Sequence, residues 1–378
     1  MSELSNYLII NKRIKRQRHE AALWLVIVFV LGAQGNLQAQ FSSTINGYFP
    51  KAWEGKQAMI VANPLHHPKI IDTTTIVNRS ATFTINLAEP CPAYLWVEGN
   101  KDDIQFFIDS PTISIGIESG LFGSPIITGS ASSELWPEQL THLRQDIDIE
   151  SDNQSTLFDA LRSGDSLKVF SLEYTRDSLR TIRKNAVAKL ILEKPQLASS
   201  WYLFASDYFP YKQTLELFNG LTFFAGYPSY QEIKEQLARK QLGNKAPDFS
   251  LPGENQKIAH LSALPDHFVL IDFSMRILTA CQKRHVDLKK LYKKYHASGL
   301  EIITVSVEFD QLDGQNAATN YRLPWIQVQD FMEKAVVTKD YAVHQMPDNV
   351  LLDANKIMIG RDMSIQELDM VLEQLMKK

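Results

Sequence analysis

The only thiols in this 378-residue chain are Cys91 and Cys281, and they are the first candidates for reactive chemistry. Two cysteines are too few for a disulfide framework, which excludes a stapled miniprotein. Thr279 and Gln282 have the spacing of a capping box, so a helix is predicted to begin with Thr279 as its N-cap. The helix dipole favours a thiolate in the first turn, whereas burial of that turn would raise the pKa of Cys281.

Other catalytic signatures are missing from the sequence. A peroxiredoxin motif, Pro-x-x-x-Thr-x-x-Cys, would need Pro in place of Ser274 and Thr in place of Leu278. The chain has no phosphate-binding loop, dinucleotide fingerprint or nucleophile elbow. His66 and His67 have no Cys or carboxylate at metal-ligand spacing and predict a surface loop. We therefore expect no cofactor and no metal.

The elements that must position Cys281 alternate between strand and helix over residues 243–378. Residues 268–273 and 301–307 are short, nearly all-apolar runs, typical of strands buried on both faces of a sheet. A later pair of apolar runs predicts a hairpin whose turn places Asn355 at positive φ. Residues 365–375 have the spacing of a closing amphipathic helix. This order predicts an α/β fold with a mixed sheet.

The start of the chain has the pattern of an export signal over residues 1–39. Residues 12–18 carry five positive charges, residues 21–33 are thirteen uncharged and mostly apolar residues, and small residues end at Ala39. Thirteen residues are fewer than the roughly 20 that span a bilayer, which favours cleavage over a retained anchor. We therefore expect an exported protein of the periplasm or cell envelope, with membrane contact only if this segment is retained.

The segments between the signal and residue 243 differ in pattern. Apolar and polar residues alternate over residues 40–130, as in 82–87, and predict short strands in an antiparallel β-sandwich. Residues 131–242 predict a helical segment, in which eleven aromatic residues between positions 201 and 230 are interpreted as core. The net charge of −4 provides no basic field and argues against nucleic acid as a partner.

Four stretches of the C-terminal part resemble the thioredoxin-like domain of exported TlpA/ResA-type proteins and the related AhpC/TSA group. They are residues 243–249, 269–273, 288–295 and 299–306. Residues 108–111 and 128–130 resemble a β-domain of unknown function that often precedes such domains in Bacteroidetes envelope proteins. The resemblance implies a thioredoxin-like fold for residues 243–378 and membership in a redox-homeostasis family of oxidoreductases.

The family reaction is dithiol–disulfide exchange by Trp-Cys-x-x-Cys at the start of the helix after the first central strand. The first Cys attacks and the second resolves the mixed disulfide. In this alignment Leu278 replaces the attacking Cys, and Cys281 is the second Cys. Met346 and Pro347 match the cis-proline beside the active site. The resemblance therefore implies a degenerate site in which the attacking thiol is absent.

The resemblance also assigns Asp272 to the buried acid that assists the second Cys. Asp272 lies in a strand predicted to be buried on both faces, and the local sequence offers it no evident positive partner. We therefore expect its carboxylate to lose solvation without gaining a cation. Arg284 and Val286 stand where the exported branch usually has Glu and Pro.

Three hypotheses follow. The first is a binding or assembly module for an envelope protein, without dithiol exchange. The second is an active oxidoreductase that uses Cys281 as a single thiol. In the third, a groove formed by Leu278, Thr279, Met346 and Pro347 binds an extended peptide, because strand addition to a backbone edge needs no thiol.

Overall fold

The computed structural model describes most of the chain after the predicted signal segment, within one unit that begins at Ala39. The described residues are 41–65, 69–100, 102–118, 125–134, 136, 156, 159–160, 163–253, 257–264, 267–275, 278–308, 323–331 and 336–377. The signal segment and the histidine pair at 66 and 67 lie outside them. Within these ranges, no helix is both long enough and apolar enough to cross a membrane.

The N-terminal region is a β-sandwich of two four-stranded sheets, as predicted. Its strands are β1 Phe41–Tyr48, β2 Gln57–Ala62, β3 Ile70–Thr75, β4 Ser80–Leu87, β5 Cys91–Val97, β6 Ile104–Ile108, β7 Thr112–Gly116 and β8 Ile126–Thr128. The sheet orders are β4-β1-β7-β8 and β3-β2-β5-β6. Both sheets contribute to one apolar core, since every second residue of a strand such as β4 points inward.

One strand pair departs from the predicted antiparallel arrangement. β1 and β7 run parallel, with Ile45 opposite Ile113. The other pairs described for these two sheets are antiparallel. Between β1 and β7 the chain forms β4 of the same sheet and all four strands of the second sheet. Such a long connection permits parallel pairing, which a tight hairpin does not.

The helical segment packs most of its aromatic residues into a core, as the sequence interpretation expected, whereas Phe223 is exposed. Its helices are α1 Ser166–Glu193, α2 Ala198–Ser206, α3 Tyr211–Gly220 and α4 Pro228–Arg239. Trp201 is fully buried among other rings, and its indole N–H donates to Ser229 Oγ at 2.8 Å. Ser229 Oγ in turn donates to the buried Glu89 carboxylate of the sandwich at 2.7 Å, which joins the two regions.

The C-terminal region has the predicted α/β fold with a mixed sheet. Its elements are β9 Ser250–Pro252, β10 Ile258–His260, β11 Phe268–Ser274, α5 Thr279–Tyr295, β12 Leu300–Glu308, β13 Ile326–Phe331, α6 Val336–Asp340, β14 Asp348–Leu352, β15 Met358–Arg361 and α7 Ile365–Met376. The sheet order is β13-β12-β11-β14-β15. β11, β12 and β13 are parallel to one another. β14 pairs antiparallel with β11, and β15 pairs antiparallel with β14. β11 is therefore central and buried on both faces.

Two local predictions are wrong by one residue. Helix α5 takes Leu278 as its N-cap, because its first helical hydrogen bond runs from the Gln282 amide to the Leu278 carbonyl at 3.1 Å. Thr279 is the first helical residue and not the N-cap. In the hairpin turn, Lys356 takes the positive φ of 62° that was expected for Asn355.

Candidate functional site

Cys281 lies in the first turn of α5 and is only 1% exposed. Burial raises the pKa of its thiol, and a hydrogen bond from the Met275 amide to Sγ at 3.5 Å only partly opposes this. Cys91 is the first residue of β5, and burial raises its pKa to about 12. Both cysteines are free, and both are held as neutral thiols at neutral pH.

Leu278 occupies the N-terminal end of α5, where the dipole of the helix would act on a thiol. Its backbone is extended, with φ −86° and ψ 120°, and it provides no side-chain acceptor for the helix amides. Its side chain is half-buried. A hydrocarbon therefore stands at the position that the sequence alignment assigns to the attacking Cys.

The Met346–Pro347 peptide bond is cis, as the resemblance implied. Pro347 directly precedes β14, whose first residue, Asp348, pairs with Phe273 of β11. The next residue of β11 is Ser274, only four positions before Leu278. The topology therefore brings Leu278 and Pro347 to the same end of the sheet, both half-buried.

Asp272 is fully buried and has two cationic or potentially cationic partners, so the expectation of an unpaired carboxylate is wrong. Its Oδ2 is 2.7 Å from His285 Nε2, and its Oδ1 accepts from Arg284 Nε at 3.3 Å. Thr304 Oγ1 also donates to Oδ2 at 3.1 Å. Sequence analysis missed these contacts because the partners are supplied by α5 and β12, which fold back against β11.

The hydrogen bonds continue beyond Asp272 into the surrounding elements. Arg284 donates from both Nη atoms to the Met363 carbonyl at 3.3 Å, and Asn349 Nδ2 donates to the same oxygen at 3.0 Å. On the other side, Trp325 Nε1 donates to Thr304 Oγ1 at 2.9 Å. Both carboxylate oxygens thus accept hydrogen bonds, from α5 and from β12, and Arg284 extends the network to Met363, two residues before α7, which also contacts Asn349 of β14. This arrangement suits a structural anion better than a free general base.

The register of the sheet offers a signal that could have found part of this network. Thr304 and Asn349 are the residues paired with Asp272 on its two neighbouring strands. Both are polar in strands that are otherwise buried and apolar, and buried polar groups require partners. His285 had no comparable signal. His285 lies four residues after Cys281, so both side chains are on one face of the helix. That spacing does not predict a contact between His285 and Asp272.

No group of three or more His, Cys, Asp or Glu side chains that could hold a metal ion is found within the described residues.

Two family models match this chain, each over about a third of its length or less. The model named Redoxin matches residues 241–369. The model named Domain of unknown function (DUF4369) matches residues 43–136.

The similar curated proteins are thiol-disulfide oxidoreductases. ResA of Bacillus thuringiensis strain Al Hakam is 27% identical over 128 residues, which cover 34% of this chain and 73% of that protein. ResA of Bacillus cereus strain ATCC 10987 is 24% identical over 159 residues, which cover 42% of this chain and 87% of that protein.

Similar solved structures each cover about a third of this chain. A thiol-disulfide oxidoreductase from Bacteroides fragilis is 27% identical, with a TM-score of 0.33, and the match covers 35% of this chain and 99% of that one. The thioredoxin domain of a thiol-disulfide oxidoreductase from Bacteroides vulgatus is 22% identical, with a TM-score of 0.34 and coverage of 36% and 98%. These matches identify residues 241–369 as a redoxin-type, thioredoxin-like domain similar to ResA, and residues 43–136 as a DUF4369 domain.

Proposed function

We propose that this protein is a cell-envelope member of the thiol-disulfide oxidoreductase family that does not exchange disulfides and acts as a binding or assembly module. Its ligand is an extended segment of an envelope protein. In this proposal the ligand binds at Leu278, Thr279, Met346 and Pro347, and the pairing of β14 with β11 and the start of α5 support a shared position for them at one end of the sheet. The signal pattern over residues 1–39 supports export.

The observation that carries this proposal is the N-cap of α5. Dithiol exchange needs an exposed thiolate at that position and a second thiol to resolve the mixed disulfide. Here the N-cap is Leu278, and the remaining thiol, Cys281, is 1% exposed with a raised pKa. The chain has the cis-Pro347 loop and the buried Asp272 network, and both support a binding groove that does not need the missing attacking thiol.

The single-thiol alternative uses Cys281 as the nucleophile. A thiol attacks as the thiolate, and both burial and the raised pKa keep Cys281 neutral and out of reach of a disulfide. Burial raises the pKa of Cys281 by more than the Met275 amide lowers it. These features count against the alternative.

The binding proposal is tested with a labelled extended peptide that contains no disulfide, for example reduced and alkylated insulin B chain. We expect fluorescence anisotropy to detect binding by the chain from residue 40 onward, and Leu278→Asp to weaken it at least about tenfold through the cost of desolvating a carboxylate. Leu242→Asp is the matched control, because Leu242 is an exposed leucine outside the site. Absence of binding, or equal binding by Leu278→Asp, would overturn the groove.

A further inference from the structure

Two side chains with the geometry of a nucleophile and its base lie on the paired strands β9 and β10 of the redoxin domain. Ser250 is the first residue of β9, and His260 is the last residue of β10. The two strands are antiparallel and place these residues directly opposite each other. Opposite residues of a strand pair project to the same face of the sheet, so these side chains are neighbours.

The hydroxyl and the imidazole are in direct contact. Ser250 Oγ is 2.6 Å from His260 Nδ1, and both residues are exposed to solvent. In the tautomer that carries its proton on Nε2, the imidazole accepts the hydroxyl proton at Nδ1. This is the arrangement in which a histidine activates a serine as a nucleophile, and exposure leaves the pair accessible to a ligand from solution.

Asp248 provides a negative charge beside this pair. Its Oδ1 accepts the amide N–H of Phe249 at 3.0 Å and that of Ser262 at 2.9 Å. Desolvation opposes ionisation, but the contacts with Ser262 and Phe249 and the charge of His260 lower the pKa of this carboxyl overall. The carboxylate is therefore ionised at neutral pH, and it favours the protonated imidazole that forms when Ser250 loses its proton.

A cavity of about 540 Å³ lies beside Ser250, which is one of its lining residues. Its apolar wall includes Phe249 and Leu251, which flank Ser250, together with Phe331 of β13 and Val337 of α6. Phe331 is the last residue of a parallel strand, and ligands of α/β folds bind beyond the carboxyl ends of such strands. A cavity of this size accommodates a small organic group.

The charged groups of the cavity wall restrict the ligand. The carboxylates of Asp248, Asp330 and Asp340 line the cavity, and no Lys or Arg is among the described residues that line it. Asp330 Oδ2 accepts the amide N–H groups of Val337 at 3.2 Å and Thr338 at 3.1 Å, which holds α6 against the end of β13. Like charges repel, so the cavity suits a neutral and largely apolar group better than an anion.

We propose that Ser250 and His260 form a separate hydrolytic site, which cleaves neutral carboxylic esters whose short apolar acyl group is held in this cavity. The site does not depend on the groove at Leu278 and Pro347. Ser250 Oγ attacks the carbonyl carbon and forms a new ester bond, while its proton moves to His260 Nδ1. The bond to the alcohol breaks, and the alcohol leaves with that proton. Water then attacks the acyl carbon and gives a proton to His260, which returns it to Ser250 Oγ as the carboxylic acid leaves.

The test is hydrolysis of p-nitrophenyl butyrate by the chain from residue 40 onward, with mass spectrometry to locate the acyl group. We expect an acyl adduct on Ser250 and turnover that Ser250→Ala abolishes. His260→Gln should lower the rate of acylation at least about 100-fold, because it removes the base. His267→Gln is the matched control, since His267 is also exposed and lies outside β9 and β10, and it should follow the unmodified protein. These variants replace exposed side chains, so we expect them to fold.

The length of the acyl chain tests the cavity separately. Each methylene buried in an apolar wall should raise kcat/KM about threefold, so the butyrate ester should exceed the acetate ester about tenfold. Equal kcat/KM for the two esters would overturn the assignment of the acyl group to the cavity. Absence of turnover, turnover that persists in Ser250→Ala, or an unchanged rate of acylation in His260→Gln would overturn the site as a whole.

Discussion

Replacing Asp272 by Asn should destabilise the redoxin domain by about 3 kcal/mol. Oδ1 accepts from Arg284, while Oδ2 faces both His285 and Thr304. An amide has one acceptor oxygen, so one orientation of Asn places its NH₂ group against the Arg284 guanidinium, and the other leaves only a neutral NH₂ facing His285 and Thr304. Removing one partner of a buried ion pair costs about 3–5 kcal/mol, and we take the low end because one acceptor remains.

The measurement is urea unfolding of the chain from residue 40 onward, with hydrogen exchange of the β11 amides to isolate the redoxin domain from the other regions. Asp287→Asn is the control. Asp287 forms a surface pair with Lys290 and is 45% exposed, so its loss should stay within about 0.5 kcal/mol. An Asp272→Asn protein as stable as the unmodified one, or more so, would refute the anionic role assigned to this network.

Three further predictions concern the thiol, the last helix and export. Burial of Cys281 predicts that iodoacetamide at pH 8 labels it only after denaturant is added, and labelling of the folded protein at the rate of a free thiol would contradict this. Lys212 and the Ser364 amide lower the pKa of Glu367 to about 2, so its contribution to stability is complete above about 4.5 and is lost as pH falls through 2. Glu367→Gln should therefore flatten the acid-unfolding profile between these values, and an unchanged profile would refute the pairing. N-terminal sequencing of protein from the cell envelope should start near Gln40, whereas full-length protein in the cytosol would contradict export.

Much of the fold could be predicted because the patterns that specify it are local. Alternation over β4 and the apolar run of β11 predicted strands that the structure contains, since side-chain periodicity follows directly from strand geometry. Helix ends were less reliable. The Thr279–Gln282 pattern placed the N-cap one residue late, since the N-cap is Leu278, while the capping box of Ser364 and Glu367, which opens α7, was missed. The starts of α5 and α7 carry the same sequence pattern, and they differ only in the residue at which the helix begins, which the pattern does not specify.

The candidate site was predicted where it depends on sequence order and missed where it depends on packing. The resemblance to the thioredoxin-like family assigned Leu278, Cys281 and Pro347, because such a comparison follows the order of residues along the chain. The partners of Asp272 do not, because Arg284 and His285 belong to a helix that must fold onto β11 before the contact exists. The hydrogen bond from the Tyr211 amide to Asp362 Oδ2 likewise joins residues 151 positions apart. No periodicity encodes such a pairing.

The central claim is that the residue at the start of α5 determines the chemistry of this protein. Reduction of insulin disulfides by dithiothreitol tests it directly, with the unmodified chain, Leu278→Cys and Cys281→Ser compared. We predict background rates for the unmodified chain and for Cys281→Ser. Leu278→Cys should gain activity, since Cys281, Asp272 and the cis-Pro347 loop are already in place. Turnover by the unmodified chain that Cys281→Ser abolishes would contradict the account.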